Sequence, residues 1–273
     1  MIIDVLATVF GANMPDLVDM ARTLDHSDVG VLWVTDHFSG AVDGAPWSRD
    51  PFVTLGAMAA VTERVELGLL VANMVNRHPV QLVSAFNSLQ SIAPWRVRLG
   101  LGSGAAPGSR FAVEHEAIGR ELGTLDGRRA ALRDQIRAVR AIWSGAESFE
   151  SPTLSFHGLR DVVDGAAVPP IVVGASAWPT IEVALADADG VNIRFTRDVD
   201  EQVARIRRVR PAAGVRGFEV SVLLDPARGE PDVLGDHLDH LRSIDVERVV
   251  IMRAPGFDPA DLTPHLTPHL TPR

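Results

Sequence analysis

Residues 50–104 read DPFVTLGAMAAVTERVELGLLVANMVNRHPVQLVSAFNSLQSIAPWRVRLGLGSG, and this stretch decides the fold. Asp50-Pro51 starts a helix: a carboxylate can accept from the free N–H groups of a first turn, and proline suits the first helical position. Leu55, Met58, Ala59 and Thr62 recur at helical spacing and put a mostly apolar stripe on one face. VELGLLVAN (65–73) is a short β-rich apolar run of the kind buried on both faces of a sheet. A second helix opens at Pro79, with Leu82, Phe86 and Leu89 on one side. RVRLGLGSG (96–104) is another buried-type strand, ending in glycines. Helix, strand, helix, strand with short connections is the pattern of a parallel sheet covered by helices. The two strands end in Ala72-Asn73 and Gly102-Ser103-Gly104, and in parallel α/β folds the carboxyl ends of strands are where ligands sit.

The same grammar extends in both directions. A first strand covers about 2–10, closed by Gly11, and a helix near Pro15 carries Leu17, Met20, Ala21 and Leu24 at i, i+3, i+4, i+7. A second strand, about 29–35, ends in Asp36-His37-Phe38, followed by the polar loop SGAVDGAPWSR. After Gly104 comes AAPGSRFAVEHEAIGRELG, a loop longer than the usual connection. The next helix has Leu132, Ile136, Val139 and Trp143 on one face, with Arg128, Arg129, Arg133, Arg137 and Arg140 on the rest. Residues 146–168 are polar, and TLSFHG suggests a small hairpin there. Further strands fall at about 170–174, 189–194, 217–224 and 246–253, with a helix after the first of these and another around 231–243 bearing Leu234, Leu238 and Leu241. The close, TPHLTPHLTPR, is a proline-broken repeat that cannot continue a helix.

The chain has 273 residues, a usual size for one eight-stranded barrel. A hydrophobic content of 46% with 22% charged residues is ordinary globular composition. The net charge of −9 argues against nucleic acid or an anionic membrane as the main partner. Zero cysteines exclude disulfides, thiolate nucleophiles and cysteine-ligated metals. Every basic residue is arginine, so Schiff-base and lysine general-base chemistry are excluded as well. With abundant Ala, Gly, Pro and Val and no tyrosine, the composition is that of GC-rich coding. MIIDVLATVF lacks a basic leading segment and carries Asp4, so it reads as a strand rather than a signal peptide. No run approaches the roughly 18 apolar residues of a membrane span. The expectation is a cytoplasmic protein acting on a small molecule.

TERVELG, RHPVQLVSAFNSLQ and RVRLGLGSG together resemble the luciferase-like monooxygenase superfamily, whose members are (β/α)8 barrels using a flavin or the deazaflavin coenzyme F420. VLWVTDHF (31–38) is similar to that family's second strand, PPIVVGAS (169–176) to its fifth and ADADGVNI (186–193) to its sixth. The resemblance implies an α/β fold, a TIM barrel over 1–262, with an eighth helix truncated or missing because proline recurs from Pro255, and a separate tail at 263–273. In the F420-dependent sugar-phosphate dehydrogenases of this superfamily the residue matching Asp36 touches the cofactor and that matching His37 is the catalytic acid/base. Imidazole suits the role because its ordinary pKa lies near neutrality. Without the resemblance and the position at a strand's carboxyl end, Asp36-His37 reads better as a capped turn with a structural histidine.

The resemblance also implies that Leu70, Val71, Ala72 and Asn73 form a bulge behind the cofactor ring, often with a non-proline cis peptide, here Leu70–Val71. Gly102, Ser103 and Gly104 would let the backbone approach the ring's pyrimidine edge. Gly174, Ala175, Ser176 and Ala177, with Thr180 beyond, would hold the cofactor's phosphate, since free N–H groups at a helix start and small hydroxyl side chains bind phosphate. No metal site is expected: the prolines break the i, i+4 spacing of His265 and His269. His78 serves the turn before Pro79. Relatives pair through their helices, so a homodimer is implied.

The chain also departs from the pattern. The sugar dehydrogenases have a glutamate where this chain has Ala105, which removes a second acid/base. Bacterial luciferase has a histidine where this chain has Asp36. Pro94-Trp95 replaces the Gly-Gly often found before the fourth strand. Three functions follow: an F420-dependent oxidoreductase, favoured by Asp36-His37 and by GC-rich coding; a two-component FMN monooxygenase; and a flavin-binding barrel without catalysis.

Overall fold

The computed structural model describes residues 1–210, 217–225 and 234–265. Eight parallel strands close into a barrel: β1 (Ile2–Ala7), β2 (Val31–Val34), β3 (Glu66–Asn73), β4 (Val97–Gly102), β7 (Ile171–Ala175), β8 (Gly190–Arg194), β9 (Glu219–Leu224) and β10 (Arg248–Arg253). A two-stranded hairpin, β5 (Phe149–Glu150) and β6 (Ser155–Phe156), lies in the connection between the fourth and fifth barrel strands; TLSFHG (153–158) supplies only its second strand, and the first lies just before that segment. Helices α1 (Met14–Asp25), α2 (Pro51–Ala59), α3 (Pro79–Ile92), α5 (Leu125–Trp143), α6 (Trp178–Asp187), α7 (Val199–Val209) and α8 (Leu234–Ser243) fall between successive barrel strands. After β10 the described residues hold only a 3-10 helix, Pro259–His265, in keeping with a truncated last helix. His269 and the end of the proline-broken tail lie outside the described residues.

Local chemistry explains the elements that position the mouth of the barrel. Asp50 caps α2, its Oδ1 accepting from the N–H groups of Phe52 and Val53 at 2.9 and 3.0 Å. His78 caps α3 by accepting from Val80 N–H, while Gln81 accepts in return from His78 N–H. The expected helix stripe stops short of Thr62, because α2 ends at Ala59; Thr62 is buried in the following turn. Helix α7 was not anticipated, although Val199, Val203 and Ile206 are its buried face.

Two apolar regions follow from the barrel geometry. The larger lies between sheet and helices and includes Leu17, Leu55, Phe86, Leu99, Ile136 and Ile181. The smaller fills the lumen with Leu6, Val31, Trp33, Leu70, Val172, Leu223 and Val250. Space in the lumen is so limited that a Cβ on Gly68 would come within 2.6 Å of the Trp33 ring. A layer of charge closes the lumen below. The Arg248 guanidinium donates to Asp4 at 2.8 Å and to Glu219 at 2.8 Å, and Arg98 donates to Glu219 at 3.0 Å. Glu66 lies 3.4 Å from Arg98, and Trp33 Nε1–H donates to Asp4 at 3.2 Å. Burial raises the pKa of Asp4 and Glu66 despite these arginines. Burial opposes ionisation of Glu219 too, but Arg248 and Arg98 outweigh it and hold that carboxyl below its usual range.

Candidate functional site

At the upper rim, the ends of β2, β3, β4 and β7 are neighbours in the barrel. This order brings the anticipated residues into one arc: Asp36 and His37 after β2, Leu70 to Asn73 in β3, Gly102 to Gly104 at β4, and Gly174 to Ala177 at β7. The Leu70–Val71 peptide is cis, and the β3–β4 register shifts between Leu69 and Ala72. Gly102 and Gly174 flank this bulge from two strands. A Cβ on Gly102 would lie 2.4 Å from Val71 Cγ2, and one on Gly174 would lie 2.7 Å from Val71 Cγ1. The expectation did not include this role: the bare faces of Gly102 and Gly174 make room for Val71. Ser176 and Ala177 stand exposed where α6 begins without a side-chain cap, whereas Thr180 is buried in the first turn.

Asp36 is also placed differently. Its carboxylate is fully buried, accepting from Arg77 Nη2 at 2.9 Å, Arg77 Nε at 3.3 Å and the Asn73 backbone N–H at 3.1 Å. Arg77 is held in turn by the faces of Phe38 and Phe52, 5.3 and 4.9 Å from its guanidinium carbon, and Gln135 donates to its carbonyl at 2.9 Å. Asp36 therefore locks the end of β3 to the end of β2. Burial opposes the Arg77 charge, but Asp36 and Asp50 more than compensate and raise its pKa.

His37 is 19% exposed at the side chain, and its ring packs against those of Phe10 and Phe111, each with its centroid 5.0 Å away. Its Nδ1 is 2.7 Å from Oε2 of Glu114, whose side chain is 1% exposed. Glu114 belongs to α4 (Ala112–Ala117), a short helix inside the segment expected to be only a long loop. The other oxygen, Oε1, accepts from Phe38 N–H at 2.6 Å and Ser39 N–H at 2.8 Å. Burial pushes the Glu114 carboxyl up, but the hydrogen bond from His37 and those from the two backbone N–H groups bring it below its usual value.

The adjacent His115 is completely buried. It meets Asn73 Nδ2 at 3.0 Å and the Ala105 N–H at 3.4 Å through Nε2. Because Asn73 Oδ1 accepts from Val75 N–H, its amide nitrogen faces His115 as a donor. His115 Nε2 thus accepts twice, and burial lowers its pKa. Arg128, expected on the exposed side of its helix, is buried and donates to the carbonyls of Gly104 and Ala105. Sequence reasoning thus missed Arg77, Phe111, Glu114, His115 and Arg128. The available signal was Phe111-Ala112-Val113 and Glu114-His115 within an overlong connection, where an exposed loop has no need of an apolar cluster beside a histidine. Among the described residues no group of three or more His, Cys, Asp or Glu could hold a metal ion, and no helix is long and apolar enough to cross a membrane.

An F420-dependent glucose-6-phosphate dehydrogenase of Kineococcus radiotolerans is 32% identical over 179 residues, covering 64% of this chain and 50% of that protein. Against other curated relatives the chain spans 64% of their length. An F420-dependent secondary alcohol dehydrogenase, solved in complex with an F420-acetone adduct, has a TM-score of 0.78 over 98% of both chains at 12% identity. A monooxygenase, RslO1 of Streptomyces bottropensis, has a TM-score of 0.73 over 97% of both chains at 18% identity. At such identities these two likenesses establish the fold. The family model for luciferase-like monooxygenases matches residues 5–228, and the chain belongs to that family.

Proposed function

We propose that the chain is an oxidoreductase that moves a hydride between coenzyme F420 and a small organic substrate. One observation carries this reading: a partly exposed imidazole, His37, follows the end of β2, and β2 pairs with β3, the strand that carries the apolar Leu70–Val71 bulge. The residues at the mouth fit the group. Leu70 and Val71, backed by Gly102 and Gly174, would support the ring, and Ala72, Asn73, Ser103 and Gly104 would edge it. Ser176 and Ala177, at the uncapped start of α6, suit a phosphate, with Ala175 and Thr180 shaping the turn behind them. When bound, F420 supplies the hydride chemistry through C5 of its ring. His37 gives or takes the accompanying proton through the nitrogen not engaged by Glu114. Asp36 acts one step back, keeping Asn73 and Arg77 in place. The similarity to a relative named as an F420-dependent dehydrogenase favours F420 over FMN.

A second reading, a two-component monooxygenase taking reduced FMN and oxygen, is favoured by Ala105, which leaves no carboxylate at the β4 end where the sugar dehydrogenases have one. Fluorescence titration of the purified protein with F420 and with FMN separates the two. Tighter binding of F420 is expected; the reverse order, with oxygen consumption in the presence of reduced FMN, would promote the monooxygenase. Turnover of any substrate removes the reading of a non-catalytic flavin-binding barrel. A homodimer is part of the proposal, since α2 presents Val53 at 66% exposure; light scattering at micromolar concentration should give twice the chain mass.

A further inference from the structure

We propose that Glu114 is the positioning residue of His37: it fixes the proton on Nδ1 and leaves Nε2 as the nitrogen that exchanges protons with a substrate. The proton-transfer part rests on the function proposed above; the tautomer does not. The argument begins with donors and acceptors. A carboxylate accepts and does not donate. Oε1 of Glu114 already accepts two backbone N–H groups, from Phe38 and Ser39. These bonds and His37 keep the carboxyl ionised against the effect of its burial. Its second oxygen, 2.7 Å from His37 Nδ1, therefore requires an N–H on that nitrogen. In the neutral ring the remaining nitrogen, Nε2, then carries the free lone pair.

The ring has little freedom to escape this arrangement. Phe111 stacks on it and Phe10 packs against it at a tilt, each centroid 5.0 Å away, with interplanar angles of 29° and 41°. Glu114 is itself held in place, because His115, next to it on α4, is tied to Asn73 and to the Ala105 backbone. The helix thus spans from the end of β3 to the loop after β2, and the carboxylate reaches His37 across 77 residues of sequence. With 1% of its side chain exposed, Glu114 cannot meet a substrate. It does not replace the acid absent at Ala105; it works through His37.

Glu114→Gln tests this because glutamine keeps the shape and reverses one donor. Its carbonyl would stay with the Phe38 and Ser39 N–H groups, and its NH₂ would face Nδ1. The proton must then move to Nε2. Long-range ¹H–¹⁵N spectra of the histidine rings, assigned with His37→Ala and recorded near pH 9, above the ordinary imidazole range of about 6.5, read the tautomer directly. We expect Nδ1–H in the wild type and Nε2–H in Glu114→Gln. With F420 and a turned-over substrate, kcat should fall at least tenfold in the variant, with cofactor affinity within about twofold of wild type; general acid–base groups contribute about 10²–10⁴ in rate. A wild-type Nε2–H ring, an unchanged tautomer in a folded Glu114→Gln, or a switched tautomer with unchanged kcat would overturn the proposal. If Glu114→Gln does not fold, the wild-type spectrum still decides. Since the spectra need no cofactor, they stand even if the protein turns over neither F420 nor FMN.

Discussion

Charged groups gather at both ends of this barrel, and they are arranged in opposite ways. Below, Asp4, Glu66, Arg98, Glu219 and Arg248 reach the lumen from five different strands and pair with one another. Three carboxyls face two guanidiniums there; burial shifts Asp4 and Glu66 up on balance, while Arg248 and Arg98 hold Glu219 down. Above, Asp36, His37, Arg77, Glu114, His115 and Arg128 bind mostly to backbone and to residues delivered by loops. There the carboxyl of Glu114 is shifted down. The lower cluster ties strands to strands and offers nothing to a ligand. The upper one ties loops to strand ends and leaves one ring, His37, reaching the mouth. The lower charge closes on itself; the upper charge ends in the partly exposed imidazole to which the proposed function gives the proton transfer.

The largest expected effect breaks the lower cluster. Arg248→Met should leave Asp4 and Glu219 without their main partner and cost roughly 3–5 kcal/mol of stability, the usual consequence of stranding buried charge. Denaturant unfolding measures it, and cofactor affinity of the folded fraction should stay unchanged. A stability loss under 1 kcal/mol would mean that the lower layer is not an interlocked unit. Next comes the bulge at the mouth. Gly174→Ala places a methyl group 2.7 Å from Val71 and should cost about 1–3 kcal/mol by overpacking while weakening cofactor binding. Destabilisation with intact binding would show that Val71 does not support the ligand.

The opposite pKa shifts give a comparison in pH. Glu114 lies below its ordinary value of 4.5 in the folded protein, so its stabilising contribution is present above pH 4.5 and is lost as pH falls through the folded value. The stability gap between wild type and Glu114→Gln should therefore narrow below pH 4.5. Asp4, shifted up from 3.8, contributes with the opposite sign, losing stability as pH rises above that value. Parallel unfolding curves for wild type and Glu114→Gln from pH 3 to 7 would contradict this assignment. The smallest effect lies outside both clusters. Trp95 has φ of 66° and is 82% exposed, holding a left-handed turn without burial to offset it. Trp95→Gly should raise stability by about 1 kcal/mol and leave ligand binding untouched.

The two clusters were unequally legible in the sequence. Asp50-Pro51 and the buried runs at 65–73 and 96–104 announce their elements, because capping and hydrophobic periodicity are local. The bulge at Leu70–Val71 was legible through family resemblance. Arg128 was misplaced because helical spacing separates an apolar stripe from a polar face but cannot show that one arginine turns inward to two carbonyls. Glu114 and His115 were invisible for a related reason. Their partners are 77 and 42 residues away, and α4 has too few residues to display a period. Helix α7 had a readable stripe, but Arg205, Arg207 and Arg208 dominate its sequence.

The measurement that tests the account most directly is the paired effect of His37→Ala on turnover and on cofactor affinity. If the upper cluster exists to present this imidazole, turnover should fall by about 10²–10⁴. The dissociation constant for F420 should stay within about twofold, while stability should fall because the buried Glu114 loses its partner. Loss of cofactor and activity together would make His37 a binding residue and move the acid/base elsewhere. Loss of neither would reduce Asp36-His37 to a turn and contradict the central claim.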